Sequence, residues 1–159
     1  MANLKLKNPS GGSLNLVSAD GASDLTVTFP ATTGTAMIGS GVGAWTAYTP
    51  TVSSAGGSFT TASASGSYQL IGKLCIVSLT VNITTVGESA SGAILATLPF
   101  TSAGRIQIGG YGMEVNSTGN MLKGYIPSSS TQLQITTYSN GSTIGAGYQT
   151  ILTVVYETA

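Results

Sequence analysis

Alternation of apolar and polar residues, which is typical of half-buried β-strands, is the main periodic signal along this chain. The alternation is clearest over residues 74–83, where one face carries valine, leucine and isoleucine and the other carries mostly serine, threonine and asparagine. It recurs over residues 132–138 and, less cleanly, over residues 149–156. Because no window has an apolar stripe of helical period and length, the pattern predicts an all-β protein.

Turn residues lie where this pattern breaks. Gly72 and Lys73 separate two strand-like runs, and a two-residue connection that begins with glycine predicts a tight hairpin of type II′ or I′. Asn140 and Gly141 follow a later run and predict a second turn of the same kind.

The first 43 residues differ from the rest of the chain because their apolar runs are very short. The runs cover residues 4–6, 14–17 and 25–29, and each places only two or three apolar side chains on one face. So small an apolar face cannot form a core by itself, and the segment must lie on another surface. We therefore predict a docking arm over residues 1–43. Its candidate contact residues are Leu4, Leu6, Leu14, Leu16, Val17, Leu25, Val27 and Phe29.

The predicted arm ends in a glycine-rich stretch. Residues 39–43 have glycine at every other position, which predicts a flexible joint. The stretch lacks the GK[ST] ending of a phosphate-binding loop. Residues 44–159 are enough for about seven to nine short strands, and we predict an antiparallel β-sandwich domain there.

Charge is scarce and balanced. Only 6% of the 159 residues are charged, and five Lys and Arg residues offset five Asp and Glu residues. The basic residues are scattered, which argues against nucleic acid as a partner. Mean hydropathy is positive, so little electrostatic repulsion keeps such molecules apart in solution. We therefore expect assembly, with much of the surface covered by partners.

Residue types that support catalysis are few. The chain has no histidine and one cysteine, which removes Ser–His and Cys–His nucleophile pairs, thiolate zinc clusters and an intrachain disulfide. Cys75 lies in the most apolar run, where a free cysteine is usually buried and inert. Asp20 and Asp24 fit a turn better than a calcium loop, which needs more oxygen ligands. We expect no enzyme activity, no cofactor and no metal site.

The chain shows no targeting signal. Residues 1–7 lack the apolar core of a secretory signal. The longest apolar run covers residues 74–77, far below the roughly 20 residues that cross a bilayer. We expect a soluble protein without a membrane partner, made in a cytoplasm and not exported by a signal peptide.

Aromatic side chains offer another kind of site. Those near turns or strand ends are Trp45, Tyr48, Tyr111, Tyr125, Tyr138 and Tyr148. Trp45 and Tyr111 are candidates to stack on the rings of a host glycan. The simpler interpretation, which we favour, is that these rings cover the mouth of the sandwich while their polar tips reach water.

Four stretches of the chain resemble a known class of protein. They are residues 14–37, which contain the segment LTVTFPATTGT, and residues 44–50, 66–73 and 154–159. Together they resemble virion proteins of tailed bacteriophages, in which an extended N-terminal stretch precedes a β-rich domain. The resemblance implies a jelly-roll-like sandwich, commonly a homotrimer, whose N-terminal segment docks on the particle. It implies no catalytic residue.

We therefore expect a homotrimeric structural protein on the exterior of a phage virion. A capsid decoration (cement) protein would dock its arm on the major capsid protein, or on another virion protein, and stabilise the shell. A tail-fibre or spike protein would instead present loops to a host glycan. The chain is short and has no coiled coil or repeating shaft, which favours decoration. A carbohydrate-binding module outside any virion is the lesser alternative.

Overall fold

The computed structural model describes the chain over residues 4–7, 13–16 and 44–159. The chain divides into two units, Met1–Ala36 and Met37–Ala159. The regular elements in the described stretches are all β-strands. Within these stretches no helix is long and apolar enough to cross a membrane. The prediction of an all-β protein is confirmed.

The first unit contains a two-stranded antiparallel hairpin formed by β1 (Leu4–Lys7) and β2 (Ser13–Leu16). In its register, each leucine of one strand is opposite a leucine of the other strand. The opposed pairs are Leu4 with Leu16 and Leu6 with Leu14. Outside the described residues lie the glycine-rich joint, the two aspartates and the other predicted arm contacts, Val17, Leu25, Val27 and Phe29.

The second unit is a curled antiparallel sheet of nine strands. The strands are β3 (Thr46–Tyr48), β4 (Val52–Ser54), β5 (Thr61–Ile71), β6 (Leu74–Thr85), β7 (Ile94–Thr97), β8 (Gln107–Glu114), β9 (Met121–Ile126), β10 (Gln132–Thr137) and β11 (Tyr148–Glu157). Their order in the sheet is β3-β5-β6-β11-β8-β9-β10-β7-β4. Most neighbours in the sheet are therefore distant in sequence.

The curl follows from the connection between the two edge strands. β3 and β4 lie at opposite edges of the sheet, yet only residues 49–51 separate them in the chain. So short a connection reaches at most about 14 Å. Nine strands laid flat would hold the edges about 38 Å apart. The sheet must therefore curl until its edges approach each other, and its inner face encloses the core.

Two glycines allow close approach near the middle of the sheet. Gly110 on β8 and Gly124 on β9 are opposite each other in the register, next to a β-bulge. A Cβ on Gly110 would lie 3.0 Å from the Gly124 Cα, and a Cβ on Gly124 would lie 2.9 Å from Leu133 Cδ1. Side chains at these positions would force the backbones apart, and the bulge adds local bending.

The core lies on the inner face of the curl. Val77, Leu79, Val81 and Ile83 of β6 are buried, as the alternation predicts. They pack with buried residues of β7, β9, β10 and β11, and each such side chain contributes roughly 1.5–3 kcal/mol. Cys75 is buried in the same cluster, and burial raises the pKa of its thiol. The buried position predicted for this cysteine is confirmed.

The first predicted hairpin is confirmed. Ile71 of β5 pairs with Leu74 of β6 across the two-residue loop. Gly72 has a φ of 60°, whereas Lys73 is not among the residues of positive φ. Positive φ at the first loop residue alone matches a type II′ turn rather than type I′.

The second predicted turn is present, but it does not join two neighbouring strands into a hairpin. Asn140 has a φ of 67°, and the Thr137 N–H donates to the Gly141 carbonyl at 3.0 Å. The strands on either side are not neighbours, since β10 pairs with β9 and β7 while β11 pairs with β6 and β8. The turn begins a longer crossing because the apolar inner face of β11 is buried between β6 and β8.

Candidate functional site

A row of exposed apolar side chains crosses the outer face of the sheet. Ile151 of β11 is opposite Met113 of β8, which is opposite Met121 of β9. The Tyr138 N–H, just after β10, donates to the Met121 carbonyl at 2.9 Å and continues the row. These four side chains, the outer apolar row, are 42–69% exposed. They extend over three strand spacings, about 14 Å, from β11 across β8 and β9 to the residue that follows β10.

Further apolar residues widen this surface on β8 and β11. Ile108, Tyr111 and Val155 are exposed outer-face residues in the rows beside it. On β5 and β6 the outer face carries apolar side chains near the hairpin, including Leu74 at 43% exposed, and small hydroxyl side chains further along. The hydroxyl side chains are Ser63, Ser65, Ser67, Ser78 and Thr80. Apart from Lys123, which is opposite Tyr111, the apolar rows on β8, β9 and β11 carry uncharged side chains, so a partner that covers them desolvates few charged groups, and desolvation of charge is costly.

A cavity of about 270 Å³ opens where β6 ends and β11 begins. Among the residues that line it are three with side-chain amides, Asn82, Asn116 and Gln149, together with Tyr148. Gln149 Nε2 donates to Asn82 Oδ1 at 2.7 Å, and Asn116 Nδ2 donates to the Gly147 carbonyl at 2.7 Å. These bonds hold the three amides in place around the cavity, which we call the amide cavity.

Glu114 at the end of β8 organises the loop that carries one of these amides. Its carboxylate is fully buried and accepts hydrogen bonds from the backbone N–H groups of Asn116 (2.9 Å), Ser117 (3.0 Å), Thr118 and Gln149 (3.2 Å). The Thr118 hydroxyl also donates, at 2.8 Å. Burial acts to raise the pKa of this carboxyl, but the hydrogen bonds outweigh it and lower the pKa to about 2. Glu114 is therefore ionised at neutral pH.

A second cavity, of about 350 Å³, lies at the opposite end of β6 and β11. Arg105 and Glu157 form an ion pair there, and Gln107 exchanges hydrogen bonds with the Glu157 backbone at 2.7 and 3.0 Å. These polar groups satisfy one another. In the described part of the chain, no group of three or more His, Cys, Asp or Glu side chains is placed to hold a metal ion.

Trp45 and Tyr111, the predicted glycan contacts, are both exposed, at 51% and 59%. Tyr111 is linked to β3 by a chain of register pairs through β11, β6 and β5. Trp45 directly precedes β3, so four strand spacings, about 19 Å, separate the two aromatic residues across the sheet. The structure therefore does not bring them together around one sugar ring.

Tyr48 departs from the expectation that the tyrosine tips reach water. Its hydroxyl is buried and has no hydrogen-bond partner among the described residues, and burial raises its pKa. The ring packs edge-on against Tyr68 at a centroid distance of 5.9 Å. β3 is an edge strand whose inner face turns towards the core, which carries this tyrosine inward.

The outer apolar row and the amide cavity were both missed by the sequence-based predictions. The sequence does contain one signal of the row. Ile151 and Val155 make both faces of β11 partly apolar, so the alternation over residues 149–156 is imperfect. Asn82 was placed correctly on the polar face of its strand. No local pattern connects it with Asn116, which lies more than 30 residues away in the chain.

No family model, no curated protein and no solved structure matches the chain. The described residues provide two candidate binding surfaces, the outer apolar row and the amide cavity.

Proposed function

We propose that this protein is a non-enzymatic structural protein of a tailed-phage virion. It acts as a homotrimeric capsid decoration protein on the exterior of the particle, where it stabilises the shell. Residues 1–43 form its docking arm, and residues 44–159 form a jelly-roll-like sandwich made from the curled sheet. The partners are copies of the same chain and the major capsid protein or another virion protein.

The outer apolar row is the observation that carries this proposal. Ile151, Met113, Met121 and Tyr138 form one continuous exposed surface on a chain with only 6% charged residues. Contiguous exposed apolar patches on soluble proteins mark interaction sites. A second copy of the chain supplies an equally uncharged surface to cover the row, and a homo-oligomer with closed symmetry leaves no such surface exposed.

The hairpin of the first unit supports the docking role of the arm. The register of this two-stranded element opposes four leucines in two pairs, and an isolated two-stranded hairpin is at best marginally stable in water. A partner surface that covers the hairpin would stabilise it. Backbone groups at the hairpin edges can also add strands to a partner sheet.

Two alternatives remain. A tail-fibre or spike protein would use the same trimer and arm but bind a host glycan, and the amide cavity is the feature that favours it. A carbohydrate-binding module outside any virion would need no trimer. Labelling virions with a gold-conjugated antibody against this protein separates the placements, because capsid labelling excludes the fibre and tail labelling excludes the decoration protein.

Mass measurement by light scattering after size exclusion tests the assembly. The full chain is compared with Ile151→Lys, which places an ammonium group in the outer apolar row, and with Thr60→Lys, an exposed position outside that row. We expect trimers for the wild type and Thr60→Lys and a folded monomer for Ile151→Lys, because burying an unpaired charge costs several kcal/mol. A monomeric wild type, or a trimer that survives Ile151→Lys, contradicts the proposal.

A further inference from the structure

We propose that the amide cavity binds a neutral sugar. The cavity is lined by Asn82, Asn116, Gln149 and Tyr148 of a single protomer. The inference therefore stands independently of the assembly proposed above, and it concerns a different site from the exposed aromatic residues Trp45 and Tyr111.

The lining matches the chemistry of sugar hydroxyls, which donate and accept hydrogen bonds. In the hydrogen bond between Gln149 and Asn82, the glutamine donates through Nε2 and the asparagine accepts through Oδ1. In the described part of the chain this leaves Asn82 Nδ2 to donate to a ligand and Gln149 Oε1 to accept from it. The Asn116 Oδ1 atom is a second acceptor, since that residue uses its Nδ2 group on Gly147. Side-chain amides thus offer both hydrogen-bonding roles at one place.

Charge selects against ionic ligands. None of the described residues that line the cavity is charged at neutral pH. An anionic ligand would lose hydration there without gaining a cationic partner, and a cationic ligand would find no carboxylate at the surface of the cavity. The buried Glu114 carboxylate is already saturated by N–H and hydroxyl donors. A neutral polyhydroxylated ligand is the class that this lining favours.

The site is already organised without a ligand. The Glu114 carboxylate accepts from the backbone N–H groups of both Asn116 and Gln149, and so fixes two lining residues through one group. Gly145 lies against the ring of Tyr148 so closely that a Cβ there would collide with it, which holds the ring in place. Groups fixed in advance lose little conformational freedom on binding.

The size of the cavity sets the expected affinity. At about 270 Å³ it is slightly smaller than the usual pockets for drug-sized molecules, which suits one sugar ring. A ring of this size, in an open site with a few hydrogen bonds, is expected to bind with a Kd on the order of 1 mM.

Saturation-transfer NMR and titration of the full chain test the proposal. The probes are glucose, galactose, mannose and N-acetylglucosamine, with glucuronate as the anionic comparison. We expect saturable binding of at least one neutral sugar, and weaker binding of glucuronate. Absence of saturation by every neutral sugar at tenfold the expected Kd overturns the proposal, and so does a clear preference for glucuronate.

Variants locate the binding site. Asn82→Leu keeps the approximate shape but removes the amide, and Asn116→Ala removes the second amide from an exposed loop position. We expect each to weaken sugar binding at least tenfold, with circular dichroism showing an intact sheet. Trp45→Ala and Tyr111→Ala are the controls and should bind as the wild type does. Loss of binding in these controls, with Asn82→Leu unaffected, overturns the assignment.

Ile151→Lys separates this proposal from the assembly. The substitution lies outside the cavity lining, so a folded monomer of this variant is expected to bind the sugar with unchanged Kd. Loss of sugar binding in that monomer contradicts a site built within one protomer. If the wild-type protein is itself a monomer and still binds the sugar, the proposed site is supported and the proposed assembly is wrong.

Discussion

Glu114 shows how a single residue can join stability to the organisation of a site. Its ionised carboxylate lies within the protein, and backbone N–H groups and one hydroxyl, rather than a cation, provide its stabilisation. Backbone N–H groups that converge in this way form an anion-binding nest. The same bonds hold Asn116 and Gln149 at the amide cavity, so changes to Glu114 should affect both the fold and the site.

The lowered pKa of Glu114 predicts a specific pH dependence of stability. Folding lowers the pKa from its ordinary value of 4.5 to about 2, so between these values the unfolded chain binds more protons. The resulting stabilisation, about 3 kcal/mol, is fully present above pH 5 and is lost as the pH falls towards 2. Urea unfolding of the wild type at pH 7 and at pH 3 should reveal this loss.

Substitution isolates the contribution of this carboxyl. In Glu114→Gln the amide NH₂ group faces backbone donors, so we expect about 2–4 kcal/mol lower stability at pH 7 and a much weaker dependence on pH. Glu88→Gln changes an exposed carboxylate and should retain the wild-type pH dependence. Equal pH dependence in all three proteins would show that Glu114 does not govern it.

At the scale of elements, the close approach of β8 and β9 depends on Gly110 and Gly124. We expect Gly124→Ala to destabilise the fold by about 1–3 kcal/mol, because the new methyl group meets Leu133 and the facing Gly110 backbone. Gly104→Ala is the matched control, since the nearest heavy atom to its Cβ would be 3.8 Å away. Thermal and urea unfolding measure both. Equal stability of the two variants would mean that the strands separate at little cost.

At the scale of the whole molecule, the low charge of the chain and its outer apolar row act together. Only five basic and five acidic residues exist to respond to salt, and burial of apolar surface is not screened by ions. We expect the proposed trimer to persist, with equal or higher affinity between protomers, as NaCl rises from about 0.05 M to about 1 M. Sedimentation velocity measures this. Dissociation at high salt would instead indicate an interface held by ion pairs.

Properties that depend on neighbouring residues could be predicted from the amino-acid sequence. The alternation over residues 74–83 predicted both the β-strand and its buried face, and Gly72 predicted the tight hairpin beside it. The apolar surroundings of Cys75 predicted its burial. Strand periodicity and turn chemistry act over a few residues, so one sequence is enough to recognise them.

The pairing of strands could not be predicted from local sequence, because it depends on how the whole sheet folds. The turn at Asn140 looks like a hairpin locally, yet β11 pairs with β6 and β8 because its inner face is buried between them. The outer apolar row arises from the register of four strands, and the buried Glu114 carboxylate joins a loop to the distant Gln149. Such pairings join residues far apart in the chain, and burial of the shared core selects among them.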